Sequence, residues 1–263
     1  MYSSLTGKRA VVLGGSRGIG RAIALRLAAE GVHVLVNFAR SAEDAEATAA
    51  DCRDLGVEAE AVRADVGDTA ALIALFARAE GWGGVDILVN NAARGLERPR
   101  PAIDQRTKHL HATMDVNLFG PWTAIQAVVP LMERRGGGAV VNLLSPGSWQ
   151  YMPGYSAVAV SKAALESLTR YLAVELAPRA IRVNGVSAGW VEGSAGAQAF
   201  GGASIAERAR TFVPAGRNVQ PEDVASAVAW LCSDESAMLA GQTIYLDGGF
   251  ALASWQSLME REP

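Results

Sequence analysis

The chain is short of the residues that carry metal and redox chemistry. Only two of its 263 residues are cysteine and three are histidine. Cys52 and Cys232 lie far apart with no CxxC spacing, and no cysteine or carboxylate stands at zinc-site spacing from His33, His109 or His111. No disulfide framework and no metal centre are therefore expected. Both cysteines read as reduced residues on helices, which suits a cytoplasmic protein. No uninterrupted apolar run approaches the roughly 18 residues of a membrane span. The chain also reaches Gly7 and Lys8 without the apolar core of a secretion signal. Neither sign of charge dominates: 24 Lys and Arg against 27 Asp and Glu leave a formal net charge of −3, so neither nucleic acid nor an anionic membrane is an expected partner. Repeats and linkers are missing too, and residues 1–263 read as a single domain.

What the chain has is apolar residues, 50% of the total, in β-rich runs that alternate with helical stretches. Strands are expected at 9–13, 32–37, 57–63, 85–90, 139–144, 182–186 and 243–246. Helices are expected at 18–30, 41–55 with Ser41 as cap, 69–80, 105–134, 154–176 and 222–232. The run at 85–90 shows little polar alternation, as a strand covered on both faces requires. This order predicts an α/β, doubly wound fold: a parallel sheet with right-handed crossovers and helices on both faces. Residues 1–135 would form a cofactor half and 136–250 a catalytic half. The Gly-, Ala- and Ser-rich stretch 193–206 follows the sixth strand at the carboxyl edge of the sheet, where ligands bind in such folds. It reads as part of a substrate lid over 187–220.

The first strand runs into Gly14-Gly15-Ser16-Arg17-Gly18-Ile19-Gly20 and then a helix. Glycines there permit a tight turn and close approach of backbone to a diphosphate, and the helix start offers unpaired N–H groups to the anion. Gly14, Ser16, Arg17, Gly18, Ile19 and Gly20 are thus candidate cofactor contacts. The second strand ends in Asn37-Phe38-Ala39-Arg40-Ser41, without the carboxylate that would bind a ribose 2′-hydroxyl and repel a 2′-phosphate. Arg40, with Arg17, can pair with that phosphate, which favours NADPH, with Ala39 and Ser41 beside it. Asp65 and Val66 end the third strand, where the adenine would lie. Asn90-Asn91-Ala92-Ala93 ends the fourth, so Asn91 and Ala92 would line the same crevice.

With Asn117, Ser145, Lys162 and the closing Asp247-Gly248-Gly249 added to these motifs, the chain resembles the short-chain dehydrogenase/reductase family from Lys8 to Gly249. The resemblance implies a Rossmann fold with a seven-stranded sheet, a homotetramer, and an Asn-Ser-Tyr-Lys catalytic group. The family places its tyrosine four residues before the lysine, and here that position is Val158, which exchanges no proton. Tyr155 stands seven residues before Lys162. On a helix at about 100° per residue, that is roughly 20° from the lysine's face. The longer spacing is similar to that of enoyl-acyl-carrier-protein reductase III, the NADPH-dependent type. So are residues 36–41, 155–176, 214–217 and 241–244. Departures are Gly14 for a threonine, which should weaken one local hydrogen bond, together with Ala188 for a proline and Gly193 for a threonine.

The implied chemistry is reduction of the C=C bond of an enoyl thioester. Tyr155 would donate to the enolate oxygen, Lys162 would bind the nicotinamide ribose and supply positive charge, Ser145 would orient, and Asn117 would hold a group supporting Lys162. Trp149 and Tyr151 would wall the pocket. Alternatives are an atypical ketoreductase of a polyketide or other carbonyl compound, and a weakly catalytic nucleotide-binding protein. An acyl carrier protein is a possible partner, docking on the basic cluster Arg98, Arg100, Arg106 and Lys108.

Overall fold

The computed structural model describes residues 2–95, 99–199 and 201–253. Seven strands, β1 (Arg9–Leu13), β2 (His33–Phe38), β3 (Ala59–Arg63), β4 (Ile87–Asn90), β5 (Gly138–Leu144), β6 (Ile181–Ala188) and β7 (Thr243–Leu246), form one sheet in the order β3-β2-β1-β4-β5-β6-β7. Every neighbouring pair is parallel. The expected doubly wound Rossmann sheet is therefore present.

Its two faces are covered by different helices. On one lie α1 (Gly18–Ala29), α2 (Ala42–Asp54) and α9 (Pro221–Cys232). On the other lie α3 (Thr69–Gly81), α4 (Thr107–Met114), α5 (Gly120–Arg134) and α6 (Ser156–Leu176). The strands divide between the two cores by the two-residue pleat. Ala10 and Val12 of β1 join Ile23, Leu27 and Val228, whereas Val11 and Leu13 join Leu75, Ile125 and Leu165. Cys52 and Cys232 are buried free thiols in the first core, and burial pushes them up to about 11 and about 12. They stay protonated and inert, as expected of structural cysteines.

Three expectations need correction. The single helix expected over 105–134 is interrupted by a π-helical segment, Asp115–Phe119, between α4 and α5. The helix expected from residue 154 starts at Ser156. Gly154 has φ +72°, a left-handed conformation that ends any helix there, and Tyr155 becomes the N-cap residue. Ser41 caps α2 by position but makes no side-chain cap hydrogen bond; Glu43 and Asp44 in the first turn complement the helix dipole instead. In the stretch expected to form part of a lid, two short helices form, α7 (Ala195–Ala199) and α8 (Gly202–Arg210), consistent with the strong helix preference of alanine.

The order of the sheet reverses between β1 and β4, so a crevice opens at their carboxyl ends. Two contacts shape it. A Cβ on Gly20 would stand 2.1 Å from the Gly14 carbonyl oxygen, and one on Gly14, itself at φ +71°, would stand 2.9 Å from the Ala92 Cα. The glycine turn is thus pressed against both its own helix and the loop after β4. Packing and its positive φ both favour glycine at position 14.

Candidate active site

The crevice is assembled from loops that buried amides tie together. Asn37 accepts from the Gly14 N–H at 3.3 Å and donates to the carbonyls of Val62 and Ala64 at 3.3 and 3.0 Å, linking the loops after β1 and β3. Asn91 donates to the carbonyls of Leu13 and Gly14 at 3.2 and 2.8 Å. Its side chain is therefore spent on holding the turn. Ser16 is buried, and its carbonyl accepts from the Thr48 hydroxyl at 3.0 Å. Deeper in, Asn90 donates to Asn142 at 2.7 Å and Asn142 to Thr169 at 2.9 Å, which anchors α6 to the sheet.

The residues of the crevice fit a nicotinamide dinucleotide. A Cβ on Gly18 would meet nothing within 4 Å, so the start of α1 is open to an approaching phosphate. Arg17 and Arg40 are exposed, and among the described residues neither forms an ion pair. Ala39 and Ser41 flank Arg40, and Arg63 donates to the Ala39 carbonyl at 3.3 Å, adding a cation to the same rim that sequence reasoning missed. Asp65 is exposed and accepts from the Gly67 N–H at 2.9 Å, while Val66 is buried beneath it. Ile19 is half-buried at the first turn of α1.

The structure brings Ser145 and Tyr155 together, and it places Lys162 and Asn117 on the supports around them. Ser145 follows β5 and caps a short 3-10 turn, Pro146–Ser148, accepting from the Gly147 N–H at 3.3 Å. The Tyr155 hydroxyl hydrogen-bonds the Ser145 side chain. The Tyr155 ring lies against Gly147: a Cβ there would stand 2.6 and 2.7 Å from two ring carbons. Burial raises the phenol above its usual range, and the Ser145 hydrogen bond offsets part of that rise. At neutral pH it is protonated, a donor.

Lys162 is 4% exposed and donates to the Leu143 carbonyl at 2.6 Å. Burial lowers its ammonium to about 8. Asn117 is fully buried in the π segment. It accepts from the Arg94 N–H at 2.8 Å and donates to the Arg94 carbonyl and the Ser161 hydroxyl, each at 3.0 Å. Its side chain thus grips the loop after β4 and the residue preceding Lys162, rather than Lys162 itself. Val158 is 1% exposed and converges with Thr113 on Gly95, so the position four residues before Lys162 is core.

Two expectations fail around the pocket. Tyr151 is 89% exposed and walls nothing, whereas Trp149 packs edge-on against Tyr245 with centroids 5.6 Å apart. The basic cluster divides. Arg100 and Arg106 line a cavity of about 290 Å³ with Arg94, Gln105 and His109; Lys108 is exposed but not part of the lining, and Arg98 lies outside the described residues. Among the described residues no group of His, Cys, Asp or Glu is arranged to hold a metal ion. Likewise, no helix among them is long and apolar enough to cross a membrane.

Buried Lys162 carries a stability prediction. Its folded-state pKa lies below the ordinary 10.5, so the unfolded chain binds more protons between pH 8 and 10.5. The charged form therefore costs stability below pH 8, by about 3 kcal/mol, and the cost fades as pH rises to 10.5. Lys162→Met should unfold at a higher Tm than the parent at pH 7, with the gap narrowing from pH 8 upward. A gap independent of pH would show that Lys162 is not a buried cation.

A family model described as enoyl-(acyl carrier protein) reductase matches residues 14–251. The chain is 37% identical over 254 residues to 3beta-hydroxysteroid dehydrogenase 1 of Eggerthella lenta, covering 96% of this chain and 97% of that one. It is 37% identical over 243 residues to the 3-oxoacyl-(acyl-carrier-protein) reductase FabG of Staphylococcus aureus, covering 92% and 97%. Among solved structures it is similar to a gluconate 5-dehydrogenase from Burkholderia cenocepacia in complex with NADP and tartrate, with TM-score 0.87, 32% identity and coverage of 95% and 98%. It is also similar to a 7 alpha-hydroxysteroid dehydrogenase complexed with NADH, with TM-score 0.88, 31% identity and coverage of 94% and 96%. With its parallel sheet, glycine turn and Ser145–Tyr155 pair, the chain belongs to the short-chain dehydrogenase/reductase family and is an oxidoreductase that works with a nicotinamide cofactor.

Proposed function

We propose that this enzyme reduces the C=C bond of an enoyl thioester at the expense of NADPH. The observation that carries the reading is the position of Tyr155: its phenol meets Ser145 from the N-cap of α6, while the family's usual tyrosine position is the buried Val158. Exposed Arg17, and exposed Arg40 at the end of a second strand whose residues 37–41 include no carboxylate, favour the 2′-phosphorylated cofactor, held further by Gly14, Ser16, Gly18, Ile19 and Gly20 at the diphosphate and by Asp65, Val66, Asn91 and Ala92 along the crevice. When bound, that cofactor supplies the hydride.

The chain's own residues then act on the charge that develops. Hydride addition at the β-carbon moves an electron pair onto the thioester oxygen as an enolate. Tyr155 donates a hydrogen bond to that oxygen, and the Ser145 hydroxyl stands beside it as a second donor. A phenol raised by burial keeps its proton, which suits stabilisation of an oxyanion without proton loss. Lys162 places a positive charge behind the pair at the end of β5 and is the candidate for the nicotinamide ribose. The α-carbon then takes its proton from solvent. The short helices α7 and α8 would close over the substrate.

A second reading is favoured by the similar FabG and hydroxysteroid dehydrogenase: reduction of a carbonyl, with the Ser145–Tyr155 pair on the carbonyl oxygen. Here Tyr155 would have to surrender its proton, and burial opposes that. Nicotinamide oxidation followed with a crotonyl thioester and with an acetoacetyl thioester separates the two. Enoyl turnover should exceed carbonyl turnover and fall about a hundredfold in Tyr155→Phe. Carbonyl turnover indifferent to Tyr155 would sink the proposal.

The acyl carrier would be an acidic protein docking near Arg100 and Arg106. Reversing both charges should raise KM several-fold for a carrier-borne substrate and leave KM for the coenzyme A thioester unchanged; equal effects on both would remove the docking site. The half-exposed Phe119 and Trp122, with Tyr171 and Val174 on α6, suit a homotetramer. Sedimentation velocity should give a tetramer's mass, and a monomer would exclude it.

A further inference from the structure

Ser145 and Tyr155 depend on a turn too short to be rigid by itself. It comprises three residues, Pro146–Ser148, and Gly147 within it is the surface against which the Tyr155 ring lies. The hydrogen bonds that hold it from behind converge on one carboxylate. Glu166 stands on α6 one turn beyond Lys162, with its side chain 13% exposed. One of its oxygens accepts from the Ser148 hydroxyl at 2.7 Å. The other accepts from the hydroxyls of Thr243 and Tyr245, on β7, at 3.1 and 3.3 Å. Arg170, one turn further along α6, approaches to 3.9 Å. Trp149, the next residue after the turn, packs on the same Tyr245.

The turn, α6 and β7 therefore meet on two oxygen atoms. Three hydroxyl donors need an acceptor-only group with spare lone pairs, and an ionised carboxylate is that group; an amide offers one acceptor oxygen and turns a donor toward the rest. Hydrogen bonds to a carboxylate are also shorter and stronger than neutral ones. The sheet does not require this arrangement for its own sake. The edge strand β7 is held by its pairing with β6, and the bonds to Thr243 and Tyr245 add a link to α6. The bond to Ser148 does something else: it ties the carboxylate to the residue after Gly147.

We propose that Glu166 is a positioning residue for the reaction, fixing the Pro146–Ser148 turn through Ser148 so that the hydroxyls of Ser145 and Tyr155 converge on one substrate oxygen. The inference rests on the reading of Tyr155 as the oxyanion donor. It makes a specific energetic claim. Loosening the turn lets the two donors drift apart, and a displacement of about 1 Å at such a site is enough to cost turnover heavily. Cofactor binding in the β1–β4 crevice does not depend on the turn.

The test is a pair of double-mutant cycles on the whole enzyme. Ser148→Ala removes the turn's bond and leaves both bonds to β7, so it tests the inference without threatening the fold. Glu166→Gln keeps the size and loses the charge. Each should lower kcat about tenfold while leaving the Kd for NADPH unchanged, and neither should lower kcat further in a Tyr155→Phe background. An unchanged kcat with only a fall in Tm would mean that Glu166 merely seats β7, which overturns the inference. Equal losses with and without the Tyr155 hydroxyl would overturn it as well, because the effect would not pass through that residue. Tyr155→Phe alone judges the functional reading: if it retains full turnover, that reading falls and takes this one with it. If it loses turnover while Ser148→Ala and Glu166→Gln do not, only the role of Glu166 falls.

Discussion

A parallel sheet has no face that can be left to water, and most else in this molecule follows from covering both. Each strand must be followed by a crossover to the opposite end, so all seven carboxyl ends arrive at one edge. The connections that gather there are long, running from Asn90 to Thr107, from Leu144 to Ser156 and from Ala188 to Pro221, and they cannot bury their peptide groups against apolar neighbours without partners. The solution repeats. Asn37, Asn91 and Asn117 each satisfy backbone groups of a loop they do not belong to, holding 62–64, 13–14 and 94 respectively. Glu166 does the same with hydroxyls. The site is set less by the strands than by these side-chain bridges between their ends.

Desolvation decides the protonation of the chemical groups, and it acts on Tyr155 and Lys162 in opposite directions. Burial disfavours whichever form is charged, so the phenol rises and the ammonium falls. The phenol finds its partner in Ser145 and the ammonium in the Leu143 carbonyl, two residues apart on the same strand end. In the proposed reaction, a neutral donor and a buried cation near the end of β5 would gain most when negative charge appears and little before.

Much of this was legible in the sequence because periodicity and glycine spacing are local signals. The seven strands, the crossovers and the glycine turn come from patterns a few residues long, whereas Ser145 and Tyr155 stand out as candidates through the family resemblance, and their hydrogen bond is a tertiary contact. What was not legible depends on tertiary contact. The π segment exists where Asn117 reaches the Arg94 backbone, 23 residues earlier in the chain, and no helical periodicity announces it. The crowding of Gly14 against Ala92 joins the ends of two neighbouring strands that lie far apart in the chain. Glu166 reads as one more helix-surface acid until Ser148, Thr243 and Tyr245 are brought to it. Helices α7 and α8 were hidden by composition, since glycine and serine drew attention away from the alanines.

The packing around Val158 bears on how two kinds of site in this family could interconvert. The side chain fills a space that Gly95 and Thr113 also enter, and a Cβ on Gly95 would already stand 2.7 Å from the Thr113 hydroxyl and 3.1 Å from Val158. A larger side chain at position 158 would meet the same packing and require these neighbours to shift. Moving the tyrosine by three residues is therefore not a single mutational step in either direction. The loop, α4 and the start of α6 must change together, and the intermediates carry either no tyrosine in reach of Ser145 or an overfilled core. Two such sites would be separated in sequence space by a barrier of packing, even though each is made of the same few residue types.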